Sequence, residues 1–174
     1  MGRKKTFVLI EDLLITDIAA EGKSIGKLEN QVVFVPHTVP GDVVDVQVVR
    51  KRKRYMEGFP VRFKQYSEAR IKPFCGHFGE CGGCRWQQLP YSEQLRYKQK
   101  QVVDQFERIG RIEVGEVLPI LASEDQTHYR NKLEFTFSNS RWLTREELLS
   151  DPAVSRGKAL GFHIPGRFDK VLNI

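Results

Sequence analysis

The first third of this chain reads as a run of short strands with no helical period among them, and that pattern limits the folds open to it. Residues 7–18 are rich in apolar side chains, 24–28 and 32–35 follow, and 43–49 alternates through Val44, Val46 and Val48. Gly22, Gly26, Asn30, the stretch from Pro36 to Pro40-Gly41-Asp42, and Gly58 punctuate the runs. Short strands at such close spacing bury their apolar face economically by closing into a small barrel. The expectation is an α+β chain. Residues 1–66 form a five-stranded β-barrel of the OB type, and 67–174 form a small α+β domain.

Three cysteines follow the barrel as Cys75-x5-Cys81-x2-Cys84, and the sequence contains no others. Glycines 76, 79, 82 and 83 lie among them and let the backbone curl. A disulfide framework wants an even count. Three thiols this close together instead suit a thiophilic centre, an iron–sulfur cluster or zinc. Both prefer four ligands in structural sites, so one is missing from the cysteine set. His77 is the alternative ligand for a Cys3His zinc site.

Residues 92–109 have helical periodicity. Ser92 is placed as the N-cap and Gly110 as a left-handed C-terminal cap. Leu95, Val102, Phe106 and Ile109, with Val103, share one face, which should be the buried one. Strands are expected at 117–121, 133–138, 159–164 and 170–174, with a short helix at 144–149. The last strand runs to Ile174 without a polar tail, as though the chain continued in a longer protein.

Lysine and arginine number 28 against 22 aspartate and glutamate, a net charge of +6. The excess favours a polyanionic partner, and its sharpest concentration is Arg50-Lys51-Arg52-Lys53-Arg54, followed by Tyr55. Five adjacent cations at the end of a barrel strand are expected to contact phosphates. The opening residues satisfy a bare myristoylation pattern at Gly2 and Thr6, but the pattern is short and commonly accidental. Glu11 and Asp12 break what would otherwise mimic a signal sequence. No apolar run approaches the roughly 20 residues of a membrane span. Clustered thiols and no export signal predict a cytoplasmic protein with no membrane association, and nothing points to an obligate protein partner.

Several segments together resemble one family, the RNA uracil-5-methyltransferases that carry a TRAM domain and an iron–sulfur cluster. Residues 22–27 with Val33-Phe34-Val35-Pro36 and Val39-Pro40-Gly41-Asp42 resemble the TRAM domain. Cys75-x5-Cys81-Gly82-Gly83-Cys84-x-Trp86-Gln87, then Tyr91-x2-Gln94-Leu95-x2-Lys98, resembles the cluster segment. Tyr129-Arg130-Asn131-Lys132, Gly161-Phe162-His163 and Arg167-Phe168-Asp169-Lys170 resemble the central domain.

The resemblance implies a [4Fe–4S] cluster held by Cys75, Cys81 and Cys84, with a fourth cysteine outside this chain. It implies S-adenosylmethionine as methyl donor, bound by a catalytic domain that also lies outside the chain and forms 5-methyluridine in ribosomal or transfer RNA. In such enzymes a cysteine thiolate adds to C6 of the uracil, C5 takes the methyl group, and a base removes the C5 proton. None of the three cysteines here corresponds to that nucleophile, so the chain itself carries no catalytic residue. Its share of the work is RNA binding, through Arg50, Lys51, Arg52, Lys53, Arg54 and Tyr55, and through Arg130, Asn131 and Lys132. The competing reading is a free-standing, zinc-dependent RNA-binding module without catalysis. Radical methylthiotransferases also pair a TRAM domain with three cysteines, but as C-x3-C-x2-C and in the opposite order.

Overall fold

The computed structural model describes residues 8–151 and 153–174. The myristoylation pattern at Gly2 and Thr6, and the onset of the first strand before residue 8, lie outside the described residues. Strands β1 (Leu9–Ile18), β2 (Ser24–Leu28), β3 (Gln31–Val35), β4 (Val43–Lys51) and β5 (Tyr55–Gln65) close into a barrel in the order β1-β2-β3-β5-β4. Every pairing is antiparallel except β3 with β5, which is parallel. The five-stranded OB-like barrel read from the sequence is the one observed.

The alternation in β4 and its neighbours explains the closure. Val33, Val35, Val44 and Val46 are fully buried, together with Ile10, Leu13, Ile15, Val48 and Met56. Each valine removed from water contributes roughly 1.5–3 kcal/mol, and branched side chains suit the pleated surface. Two buried carboxylates fasten the barrel's irregular points. Asp45 Oδ1 accepts from the Asp12 amide at 3.0 Å where β1 bulges, and its Oδ2 accepts from Arg62 Nε at 2.7 Å. The Asp12 amide, and after it the Arg62 guanidinium, hold the Asp45 carboxyl below its ordinary value. Asp42 accepts from the amides of Val39 and Ser67 and, through both oxygens, from Arg70 at 2.7 and 2.8 Å. Gly41 precedes it at φ +94°, a conformation natural to glycine, with Ser67 against the space a side chain would need.

Residues Met1–Lys72 and Trp86–Ala122 form one compact unit; Pro73–Arg85 and Ser123–Ile174 form a second. In the first unit α1 (Tyr91–Asp104) covers one end of the barrel's apolar content, with Tyr97 packed among Ile18, Val39 and Leu89, and Trp86 beside them. The helix differs from expectation in three ways. Its N-cap is Pro90 rather than Ser92, because Pro90 is extended and its carbonyl accepts the first helical amide, that of Gln94. Beyond Asp104 the helix widens into a π-turn, Gln105–Gly110, whose five-residue step moves the left-handed cap from Gly110 to Arg111 at φ 53°. The buried face is also not the apolar one. Val102, Phe106 and Ile109 are exposed and Leu95 and Val103 only half-buried, while Lys100 pairs with Asp17 at 2.8 Å and Gln101 donates to the Ala19 carbonyl. Polar contacts to the barrel rim outweigh the apolar stripe in setting the helix's rotation.

No strand forms at 117–121. The Gln99 side chain takes the role a strand partner would have, donating to Leu118 O at 3.0 Å and accepting from Ile120 N at 3.1 Å. In the second unit β6 (Thr136–Ser138), β7 (Ala159–Ile164) and β8 (Arg167–Asn173) form an antiparallel sheet. β6 is shorter than the 133–138 expected, since β7 offers it only residues 159–161. β8 starts earlier than 170, extended by the turn pairing Ile164 with Arg167. Helix α2 (Arg145–Ser150) lies where expected, with Thr144 as N-cap in a complete capping box with Glu147. No helix among the described residues is long and apolar enough to cross a membrane.

Candidate nucleic-acid interface

β4 and β5 are joined by Arg52-Lys53-Arg54, the tip of the basic run. The turn closes through the Arg52 amide, which donates to Tyr55 O at 2.8 Å. A second clamp comes from β3, where Gln31 Nε2 donates to the carbonyls of Arg52 and Lys53 at 3.2 and 3.0 Å. The backbone is thus held while the side chains stay exposed. Among the described residues Lys51, Arg52, Lys53 and Arg54 have no carboxylate partner, whereas Arg50 pairs with Glu57 at 3.6 Å. Four clamped, unpaired cations on a rigid hairpin form a local positive field. A polyanion is the partner that lowers its energy. Tyr55 lies at the base of the turn, its ring edge-on to Phe34 at 5.8 Å. Gln31 and Glu57 were not singled out in the sequence. Their roles arise from the parallel β3–β5 and bulged β4–β5 pairings, which no local spacing reveals.

Arg130, Asn131 and Lys132 belong to the second unit. All three are exposed on an extended segment, three residues farther from the strand than anticipated, and Lys132 pairs with Glu134 at 3.5 Å. His128, just before them, has φ 57° and turns the chain.

The cysteine loop is a series of tight turns. The Phe78 amide donates to Cys75 O, the Glu80 and Cys81 amides donate to His77 O, and the Gly83 amide points at Cys81 Sγ at 3.4 Å. Gly82, at φ 68°, leaves room for Pro165, which any side chain there would meet. Trp142 Nε1 donates to Glu80 Oε2 at 2.9 Å and ties the loop to its own unit. Cys75 and Cys81 are half-buried and Cys84 is exposed. The donor chemistry, three thiols within ten residues, fits a thiophilic centre. Their positions are not those of an assembled site: among the described residues no three His, Cys, Asp or Glu side chains gather in a metal-binding group.

Beside this loop a cleft of about 340 Å³ is lined by His77, Phe78, Glu80, Thr144, Arg145 and Leu149, among others. Its lining mixes both charge signs with apolar groups and selects no ligand class.

The family model of the TRAM domain matches residues 8–61, all of the barrel but the last four residues of β5. The barrel is a TRAM domain. A protein of Bacteroides thetaiotaomicron bearing the name uncharacterized RNA methyltransferase is 59% identical over 157 residues, covering 90% of this chain and 35% of that protein. One of Porphyromonas gingivalis with the same name is 52% identical over 165 residues, with coverage of 92% and 35%. The chain is thus related to RNA methyltransferases over nine-tenths of its length, and spans about a third of the length of these relatives. Among solved structures, the Pyrococcus abyssi tRNA (uracil-54, C5)-methyltransferase in complex with S-adenosyl-L-homocysteine is 24% identical, covering 94% of this chain and 31% of that one. The TM-score of that match is 0.49.

Proposed function

We propose that this chain is the RNA-engaging part of an S-adenosylmethionine-dependent RNA methyltransferase that forms 5-methyluridine in ribosomal or transfer RNA. The observation that carries the reading is the clamped basic turn of the TRAM domain, where Lys51, Arg52, Lys53 and Arg54 have no carboxylate partner among the described residues. The names of the relatives support methyl transfer to RNA, and the motif resemblance supports uracil C5 as the target. In this reading the TRAM domain binds phosphates, and Arg130, Asn131 and Lys132 guide the strand. The chain's own residues bind and orient RNA and do no bond chemistry. A base inside a stack must be extruded before a methyl group reaches it, at a cost of a few kcal/mol. Contacts to the flanking backbone offset part of that cost.

The test is salt dependence. Replacing Arg52, Lys53 and Arg54 by alanine should lower affinity for single-stranded RNA and flatten log K against log salt by about two units, at roughly 0.7 per phosphate contact. An unchanged slope and affinity would show that the turn is only a solvated hairpin.

Cys75, Cys81 and Cys84 are assigned in the same reading as three ligands of a [4Fe–4S] cluster, the fourth lying outside the chain. When bound, it supplies covalent thiolate–iron links across a loop that has few apolar residues of its own. The full-length protein, which carries the fourth ligand, should be brown when purified anaerobically and should lose its iron on changing the three cysteines to serine, whereas the chain by itself should not retain the cluster. Stoichiometric zinc without iron would favour the zinc-dependent module instead.

A further inference from the structure

Next to the basic turn the TRAM domain carries a line of aromatic side chains on its outer surface, and nothing in the cation count requires it. Met56 and Gly58 are buried in β5, so Tyr55, Glu57 and Phe59 face outward by the two-residue alternation of a strand. On β3, Val33 and Val35 are buried, so Phe34 faces outward as well. Register places Phe34 beside Glu57 and Val32 beside Tyr55. The result is a strip of Phe34, Tyr55 and Phe59, in which Phe34 and Tyr55 meet edge to face. Phe59 is 45% exposed. Tyr55 and Phe59 are four residues apart, about 13 Å along the strand.

The one acid in the strip is Glu57, which would repel a nucleic-acid backbone. Arg50 neutralises it at 3.6 Å. The strip therefore offers ring faces with no net charge, and it begins at a turn with four unpaired cations.

We infer that this strip is a stacking platform for the unpaired bases of single-stranded RNA, with Phe59 its outer step and the basic turn holding the phosphates. The inference rests on the RNA-binding reading above and adds a chemical class to it: unstacked bases rather than the backbone of a duplex. Bases present a π-face whatever their sequence, and aromatic platforms next to a basic groove are how barrels of this type hold single strands. A-form duplex hides those faces and is held by shape and backbone contacts. The strip thus discriminates between the two RNA forms, which a cationic turn alone does not.

The test compares a labelled single-stranded oligouridylate of about 12 nucleotides, within the span of one such barrel, with an RNA duplex of the same length, both bound to the full chain. Phe59→Ala should weaken single-strand binding by about tenfold. It should leave the salt slope and the duplex affinity unchanged. Phe59→Leu keeps apolar area without a ring and should lose as much, whereas Phe59→Tyr should bind like the parent. Because Phe59 is only about half exposed, the thermal midpoint of each variant is measured and binding is compared well below the lowest of them. If Phe59→Leu binds like the parent, the site is apolar packing and the proposal falls. If the Arg52, Lys53, Arg54 variant loses affinity while Phe59→Ala and Tyr55→Ala do not, the platform is refuted and the phosphate reading stands. Loss in neither sinks both. Concentration-dependent dimers in sedimentation, abolished by Phe59→Ala, would assign the strip to a second copy of the chain and also overturn the proposal.

Discussion

The two units of this chain reach order by different means. The TRAM domain has a contiguous buried core, four of whose valines are wholly inaccessible, and its turns are fixed by buried carboxylates. Among the described residues of the second unit the buried apolar side chains are Leu143, Ala159, Ile164, Val171 and Leu172, while Phe137, at the middle of β6, is 81% exposed. That unit holds its shape with polar ties: Trp142 to Glu80, Arg141 to Glu147, and the capping box of α2. A core supplies stability by area; a network of exposed ties supplies little of it. Elements with few buried contacts open at low free-energy cost. The cysteine-rich loop of residues 75–84 belongs to this second kind of unit.

The sharpest way to break this comparison is to remove a single group from the TRAM domain. Asp42→Ala removes the carboxylate that accepts from two amides and two Arg70 nitrogens, and leaves the Arg70 guanidinium with the His37 carbonyl but no counter-charge beside the rings of Phe63 and Tyr66. Losing one partner of a buried pair typically costs about 3–5 kcal/mol. Chemical denaturation followed by circular dichroism should show that loss for the barrel. A cost below about 1 kcal/mol would mean that the valine core needs no fastening.

A matched pair of substitutions sharpens it next. Gly58 and Gly161 both sit where a strand approaches its neighbour too closely for a Cβ: Gly58 against Val46 and the Gln47 carbonyl, Gly161 against the Leu172 carbonyl. Alanine at either overpacks the contact, with a typical cost of about 1–3 kcal/mol. The consequence should differ. Gly58→Ala should lower the global midpoint of the TRAM domain, because its closed sheet cannot shift one strand without the rest. Gly161→Ala should instead raise hydrogen exchange locally along β7 and β8 and leave the barrel midpoint unchanged. Equal, global effects would show that the two units unfold as one.

The same contrast explains what could be read in advance. The barrel was legible because alternation through Val44, Val46 and Val48, and punctuation at Gly41, are local signals of a closed sheet; Gly58, read as a break, instead lies inside β5, where the approach of Val46 and the Gln47 carbonyl leaves no room for a Cβ. The basic turn was legible as a charge run, yet its clamp by Gln31 was not, since residues 31 and 52 meet only after β3 pairs with β5. Helix α1 was found, but its buried face was misjudged. Val102, Phe106 and Ile109 form a sound apolar stripe by periodicity, and only the Asp17 carboxylate and Ala19 carbonyl waiting on the barrel rim turn Lys100 and Gln101 inward. In the second unit, 133–138 alternates as a strand should, but strand length is set by the partner, and β7 pairs with only three of its residues. Cysteine spacing suggests a thiophilic loop, but spacing alone carries no information on whether three thiols converge, and among the described residues no metal-binding group of three is formed.

The smallest expected effect tests whether the polar ties of the second unit contribute at all. Thr144 Oγ1 accepts from the Glu147 amide at 3.2 Å, and Glu147 Oε2 accepts from the Thr144 amide at 2.9 Å. Thr144→Ala should cost about 1 kcal/mol, the usual worth of such a cap, seen as faster amide exchange in α2. The box also makes a pH prediction of definite sign. The Thr144 amide, and after it the Arg141 guanidinium at 2.6 Å, hold the Glu147 carboxyl below its ordinary value. A carboxyl with a depressed folded pKa contributes stability above its unfolded value, about 4.3 for glutamate, and loses that contribution as pH falls through the folded pKa. Protection of the α2 amides, measured against the intrinsic exchange rate at each pH, should therefore fall on acidification below about pH 4 in the parent, and respond less in Glu147→Gln, whose amide cannot titrate. If the parent and that variant respond alike, the tie is ornamental and α2 is held by something other than its cap.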